Sequence, residues 1–202
     1  MSSLLQADVV LPAVEFFRQY PESVVVLAAV LRVAVGWQRG LSWYEYRTAH
    51  GLRRQLFPLL DRFLGVVRFV NHKPAGRDSP EFIDTVDGGI KATARLLKDG
   101  GASWHLISSL KRRPATHGDP LSRAHLVWLH DDGTQTEAFL FANDDGTTDV
   151  YAHYEASVLN PEAHLSEPQT DGDPEGVVTA ALYLGGVKPP GKERRGPDVP
   201  SE

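Results

Sequence analysis

Two copies of one turn sequence constrain the fold of this chain more than any other feature. Asp131-Asp132-Gly133-Thr134 and Asp144-Asp145-Gly146-Thr147 join three runs that alternate between apolar and polar residues. An Asp-Gly pair between such runs is a strong signal for a β-hairpin. The sequence therefore predicts an antiparallel three-stranded meander over residues 124–156, with strands at 124–130, 134–142 and 148–156.

The same turns predict which side chains share a face of the sheet. If each Asp-Gly forms a two-residue turn, Trp128 pairs with Glu137 and Phe139 pairs with Ala152. Because side chains alternate between faces along a strand, one face becomes the main core. That core face is predicted to carry Leu126, Trp128, Phe139, Phe141, Val150, Ala152 and Tyr154. The opposite face then carries His125, Tyr151, His153 and Glu155, together with several apolar side chains.

These four polar side chains are the candidate catalytic or binding residues. A histidine titrates near neutral pH, so His153 could act as a general base that Glu155 orients. The competing interpretation is that the face is solvated, as one face of an antiparallel sheet commonly is. We predict no metal or cofactor site, since the chain has no cysteine and His125 lies two strands from His153.

Three N-terminal helices are predicted before the meander. The first covers residues 11–20, the second begins at Pro21, and the third begins at Ser42. Between Val24 and Trp37 the only charged residue is Arg32, and the run is too short to span a membrane. A helix without a polar stripe needs cover on every face, so we expect another subunit to contact Val24–Val35. Ser42 and Glu45 predict a capping box, and Pro58 is expected to kink or restart that helix.

The order of the remaining segments predicts an α+β fold, with N-terminal helices packed on an antiparallel sheet. Further strands are predicted at 66–70, 104–110 and 177–184, and a further helix over residues 79–99. We predict a single domain over residues 1–187, helical to about residue 65 and mixed thereafter. The proline-rich tail at 188–202 is predicted to be disordered.

Composition excludes some classes of partner. A formal net charge of -5 argues against a general nucleic-acid-binding protein. One basic cluster is the exception, and it contains Lys111, Arg112, Arg113 and Arg123. These residues form either an anion-binding surface or a solvated strand end. The N-terminal residues lack the basic region of a secretory signal, so we expect a cytoplasmic protein or, given a composition typical of GC-rich genes, a component of a phage particle.

No nucleotide, zinc, calcium or nucleophile motif is present in the sequence. Two functional hypotheses follow. The first is a non-catalytic assembly or interaction protein of a bacterial or phage complex, which self-associates through its apolar helix. The second is a small-molecule-binding protein or cofactor-free enzyme with a pocket at the His125, Tyr151, His153 and Glu155 face. A closed, dry cavity beside His153 would favour the second hypothesis, and a packed or solvated face would favour the first.

Overall fold

The computed structural model describes residues 19–64, 70–74, 76–115, 118–160, 163–164 and 172–184. Nearly all of the helix predicted over residues 11–20, most of the strand predicted at 66–70, and the tail at 188–202 lie outside these ranges. The described residues form an α+β fold with four helices, a five-stranded antiparallel sheet and a small two-stranded sheet.

Two long helices begin the described part of the chain: α1 (Pro21–Arg39) and α2 (Trp43–Leu64). The predicted capping box is present at the start of α2. The Ser42 backbone N–H donates to Glu45 Oε2 at 2.8 Å, and the Glu45 backbone N–H donates to Ser42 Oγ at 3.4 Å. The helix continues through Pro58 without interruption; of the predicted kink or restart at this residue, the restart is therefore wrong, and a kink stays a prediction.

The five-stranded sheet contains the predicted meander. Its strand order is β2-β7-β6-β5-β3, and every pairing is antiparallel. The elements that follow α2 are β1 (Val70–Pro74), β2 (Phe82–Val86), α3 (Ile90–Asp99), β3 (Ser103–Trp104), β4 (Leu110–Arg112), β5 (Ala124–Leu129), β6 (Thr134–Ala142), β7 (Thr148–Ala156) and α4 (Pro174–Leu184). Strands β1 and β4 form the separate parallel pair.

The two turns of the meander contain three residues each, not two. The His130 backbone N–H donates to Thr134 O at 3.0 Å, and the Gly133 N–H donates to His130 O at 3.3 Å. Only the glycine of each turn has a positive φ, +82° at Gly133 and +83° at Gly146. This is the hairpin loop in which a type I turn is followed by a left-handed residue. The predicted pairing is therefore wrong by one residue, since Val127 pairs with Glu137 and Ala138 with Ala152.

The shifted register exchanges the two faces of β6. Ala138 and Leu140 lie on the core face, whereas Phe139 and Phe141 lie on the opposite face with Tyr151. Helices α3 and α4 cover the core face. The core cluster contains Ala94 and Leu97 of α3, Val178, Ala181 and Leu182 of α4, and Leu126, Val150 and Ala152 of the sheet.

Three predicted elements differ in the structure. Residues 82–86, predicted as helix, form strand β2, because β-branched residues favour an extended backbone and Gly88, at φ +103°, separates them from α3. Residues 177–184, predicted as a strand, lie in helix α4. The buried residues of this helix are Val178, Ala181 and Leu182, and a separation of three and four residues from Val178 places them on one helix face. The strand predicted at 104–110 is replaced by the short strands β3 and β4.

Candidate functional site

The face of the sheet that carries the candidate residues is buried. His125 is fully buried, and the exposed fractions of Tyr151, His153 and Glu155 are 1%, 7% and 8%. A fifth residue, Glu137 of β6, lies among them and is 2% exposed. Sequence reasoning missed Glu137 because the two-residue turns placed it on the core face. Counting the Asp-Asp-Gly turns as three-residue loops would have found it.

His125 forms a hydrogen-bonded chain with Ser122 and Glu137. Its Nδ1 lies 2.7 Å from Glu137 Oε1, and its Nε2 lies 2.6 Å from Ser122 Oγ. Burial lowers the pKa of His125 to about 4, although the Glu137 carboxylate opposes that shift. The ring is therefore neutral at pH 7, and one ring nitrogen donates while the other accepts. In this arrangement His125 donates to Glu137 and accepts from the Ser122 hydroxyl.

His153 lies among three carboxylates. Its Nε2 is 3.2 Å from Glu137 Oε2 and 3.4 Å from Glu155 Oε2, and its Nδ1 is 3.3 Å from Glu81 Oε1. None of these contacts has hydrogen-bond geometry. Burial alone would lower the pKa of His153, but the carboxylates raise it well above its ordinary value. A general base must be neutral to accept a proton, so this environment does not favour the general-base role that the sequence suggested.

Glu137 and Glu155 each have a further polar neighbour. Gln135 Nε2 donates to Glu155 Oε1 at 2.7 Å. His105 is fully buried, and its Nδ1 lies 3.5 Å from Glu137 Oε1. We call His105, His125, Glu137, His153 and Glu155 the histidine–glutamate cluster. Within it, one ligand-type atom from each of Glu137, His153 and Glu155 lies within 4.8 Å of the other two.

Tyr151 is separate from this cluster, although it lies on the same face. Its ring stacks on Phe139 with a centroid distance of 5.6 Å and meets Phe82 and Phe141 edge to face at 5.3 Å. Burial raises the pKa of Tyr151 to about 12. Its surroundings are those of an aromatic core residue.

The basic cluster predicted from the sequence is not one exposed patch. Arg113 is 3% exposed, and its Nη1 lies 2.7 Å from Asp149 Oδ2. The Lys111 Nζ lies 5.3 Å from the centroid of the Phe139 ring, on the side of the histidine–glutamate cluster. Arg112 is exposed, and Arg123 forms a salt bridge with Asp119. These positions do not form a continuous anion-binding surface.

Helix α1 presents apolar side chains to solvent. Val26, Val30, Val33 and Trp37, which we call the α1 seam, are 58–74% exposed and are spaced by four, three and four residues. Among the described side chains of α1, only Val35 and Gln38 are buried. Gln38 Oε1 accepts a hydrogen bond from the Leu106 backbone N–H at 2.7 Å. The helix is therefore anchored at its C-terminal end. None of the described helices is long and apolar enough to cross a membrane.

Comparison with protein-family models, with curated proteins and with solved structures found no match to this chain.

Proposed function

We propose that this protein is a non-catalytic assembly protein whose copies associate through the α1 seam. The observation that carries the proposal is the exposure of Val26, Val30, Val33 and Trp37 on one side of a helix. Large apolar side chains that are contiguous on a soluble protein's surface typically belong to an interaction site.

The spacing of the α1 seam supports another helix as the partner. Intervals of four, three and four residues are those of alternating d and a positions in a heptad repeat. β-Branched side chains at such positions insert well between the side chains of a facing helix. Helical stability in proteins comes mainly from packing, and the described side chains of α1 before Val35 are exposed or only partly buried.

A second copy of this chain fits the seam better than a charged partner. The only charged residue of α1 between Val25 and Gln38 is Arg32, so the surface offers little for electrostatic recognition. Ala29, Ala34 and Gly36 flank the seam and allow the backbone of a second helix to approach closely. A seam of this kind is complementary to itself, as a two-fold symmetric interface requires.

The packing of the opposite sheet face also supports this proposal over the pocket hypothesis. His125, His153 and Glu155 are buried among protein side chains, and the raised pKa of His153 does not suit a base. Membership of a bacterial or phage complex, in the cytoplasm or in a phage particle, stays a prediction from composition.

The test is the mass of the protein in solution. Light scattering during gel filtration at micromolar concentration should give a multiple of the 22.2 kDa chain mass for the wild type. Val30→Asp should give a soluble monomer with an unchanged circular dichroism spectrum, because a carboxylate buried in the interface costs several kcal/mol.

Val25→Asp is the matched control. Val25 lies on the same helix and is 69% exposed, but it points about 100° away from Val26. This variant should keep the oligomer. A monomeric wild type, or equal loss of the oligomer in Val25→Asp and Val30→Asp, would contradict the proposal.

A further inference from the structure

We propose that Glu137, His153 and Glu155 bind one divalent transition-metal ion inside the protein. The three atoms that converge are Glu137 Oε2, Glu155 Oε2 and His153 Nε2. The nitrogen lies 3.2 Å from the first oxygen and 3.4 Å from the second. Ligands bound at about 2.0–2.2 Å around a tetrahedral ion are separated by roughly 3.4 Å. The two distances match the separation of neighbouring ligands on one ion.

The second oxygen of each ligating carboxylate is positioned by another side chain. His125 lies 2.7 Å from Glu137 Oε1, and Gln135 donates to Glu155 Oε1 at 2.7 Å. Glu81 Oε1 lies 3.3 Å from His153 Nδ1 without hydrogen-bond geometry, so a carboxylate lies beside the ring nitrogen that faces away from the proposed ion. Outer-shell hydrogen bonds such as those to the two carboxylates orient metal ligands.

Two buried histidines beside the carboxylates lack hydrogen bonds, which is a second observation that points to an ion. Neither ring nitrogen of His153 or of His105 has a hydrogen-bond partner, although His153 is 7% exposed and His105 is fully buried. Buried polar groups are almost always hydrogen-bonded, and exceptions commonly mark an ion or water. Both histidines contact Glu137, on different carboxylate oxygens.

A protonated His153 is the alternative explanation for a buried histidine among three carboxylates. An imidazolium ring directs its N–H groups at carboxylate oxygens with nearly linear geometry. The contacts of His153 lack that geometry.

The ligand set indicates the class of ion. One imidazole nitrogen with two carboxylates suits Zn²⁺, Mn²⁺, Fe²⁺ or Co²⁺, whereas Ca²⁺ and Mg²⁺ prefer oxygen ligands alone. The ligands are at most 8% exposed, so the ion would enter as the chain folds and would stabilise the folded state. Such an ion joins β6 to β7 and has a structural role.

Refolding tests the proposal directly. The untagged wild-type chain is unfolded with a chelator and refolded with no metal, with Zn²⁺ or with Mg²⁺; the metal content is then measured after gel filtration. We expect one zinc per chain, no retained magnesium, and a higher melting temperature for the zinc-refolded protein. Protein refolded with Co²⁺ should absorb in the visible range, as cobalt does with nitrogen and carboxylate ligands in a closed site.

Substitutions then locate the site. Glu155→Gln keeps the shape of the side chain and should reduce the zinc content from one per chain to none. His130→Gln is the control, since His130 contacts Thr136 on the same sheet outside the cluster, and it should retain one zinc. If Glu155→Gln does not fold, the visible absorption spectrum of the wild type refolded with Co²⁺ shows whether an ion is bound by nitrogen and carboxylate ligands. Refolded wild type without stoichiometric zinc or a cobalt spectrum, zinc retained in Glu155→Gln, or zinc lost from His130→Gln would each overturn the proposal.

Discussion

Asp149 is the residue through which three separate segments are held to strand β7. Its buried carboxylate accepts hydrogen bonds from Arg113 at 2.7 Å, from Arg77 at 2.9 Å and from Thr85 at 2.7 Å. Asn143 Nδ2 donates to the same carboxylate at 2.9 Å. Arg113 is itself buried, so each charge depends on the other for compensation.

We predict that Asp149→Asn destabilises the protein at neutral pH. The substitution leaves the Arg113 guanidinium buried without its counter-ion, and breaking a buried ion pair in this way costs about 3–5 kcal/mol. Urea denaturation monitored by circular dichroism measures the change in the free energy of unfolding. Asp144→Asn, in an exposed turn position, is the control and should change it by less than about 0.5 kcal/mol.

The same variant should lose part of the acid sensitivity of the wild type. Burial alone would raise the pKa of Asp149, but the hydrogen bonds from Arg77, Asn143 and Thr85 lower it below its ordinary value. The unfolded chain therefore binds this proton more readily, and stability is lost as the pH falls below about 4. The difference between wild type and Asp149→Asn should be largest above that pH and shrink below it. A difference independent of pH would exclude this linkage.

Sequence patterns identified these residues but not their pairing. Arg113 was assigned to a basic cluster, whereas Asp149 follows the strand alternation that puts Tyr151 and His153 on one face, and the two are 36 positions apart. A loop brings the guanidinium onto the sheet, and no periodicity specifies where a loop side chain will lie. The histidine–glutamate cluster was predictable in part, because His125, His153 and Glu155 follow the alternation of β5 and β7.

Helix α4 lies very close to the backbone at Gly100, the residue that follows the last turn of α3. A Cβ atom added at Gly100 would lie 2.6 Å from the Ala181 Cα, which is closer than atoms can pack. The backbone of Gly100 has φ -82°, a value that any residue adopts. Gly100 is therefore required for space and not for its backbone conformation.

Gly100→Ala should destabilise the protein by about 1–3 kcal/mol, because overpacking forces the two helices apart. Gly51→Ala is the matched control, since Gly51 lies inside α2 with nothing within 4 Å of the added Cβ. That change should stabilise the helix by about 0.5–1 kcal/mol. Chemical denaturation of both variants measures the contrast. Equal changes in the free energy of unfolding for the two substitutions would contradict this prediction, because they would show that the backbone near Ala181 moves easily to make room for the added methyl group.

The elements best predicted from the sequence are those with local chemical signals. Asp-Gly turns and the Ser42–Glu45 capping box located the meander and α2. The register failed because Asp-Asp-Gly closes a three-residue loop, and a shift of one residue moves every side chain of β6 to the other face. Helix α4 was missed because a short apolar run fits a buried strand and a buried helix equally well.

For the whole molecule, association through the α1 seam would connect stability to protein concentration. A partner that binds only the folded state stabilises it by mass action. We therefore predict that the melting temperature of the wild type rises with protein concentration, whereas that of Val30→Asp does not. Differential scanning calorimetry over a hundredfold concentration range measures both. A wild-type melting temperature that stays constant over this range would argue against association.

The anchoring of α1 at one end has a mechanical consequence. A helix of 19 residues is about 28 Å long, and its buried contacts lie at Val35 and Gln38. The helix is therefore attached to the rest of the fold near its last turn. A tilt of about 10° at that attachment would displace the far end by about 5 Å over that length. The direction of the N-terminal end would then depend on whatever packs along it, since among the described side chains of α1 the buried ones lie near the C-terminal end.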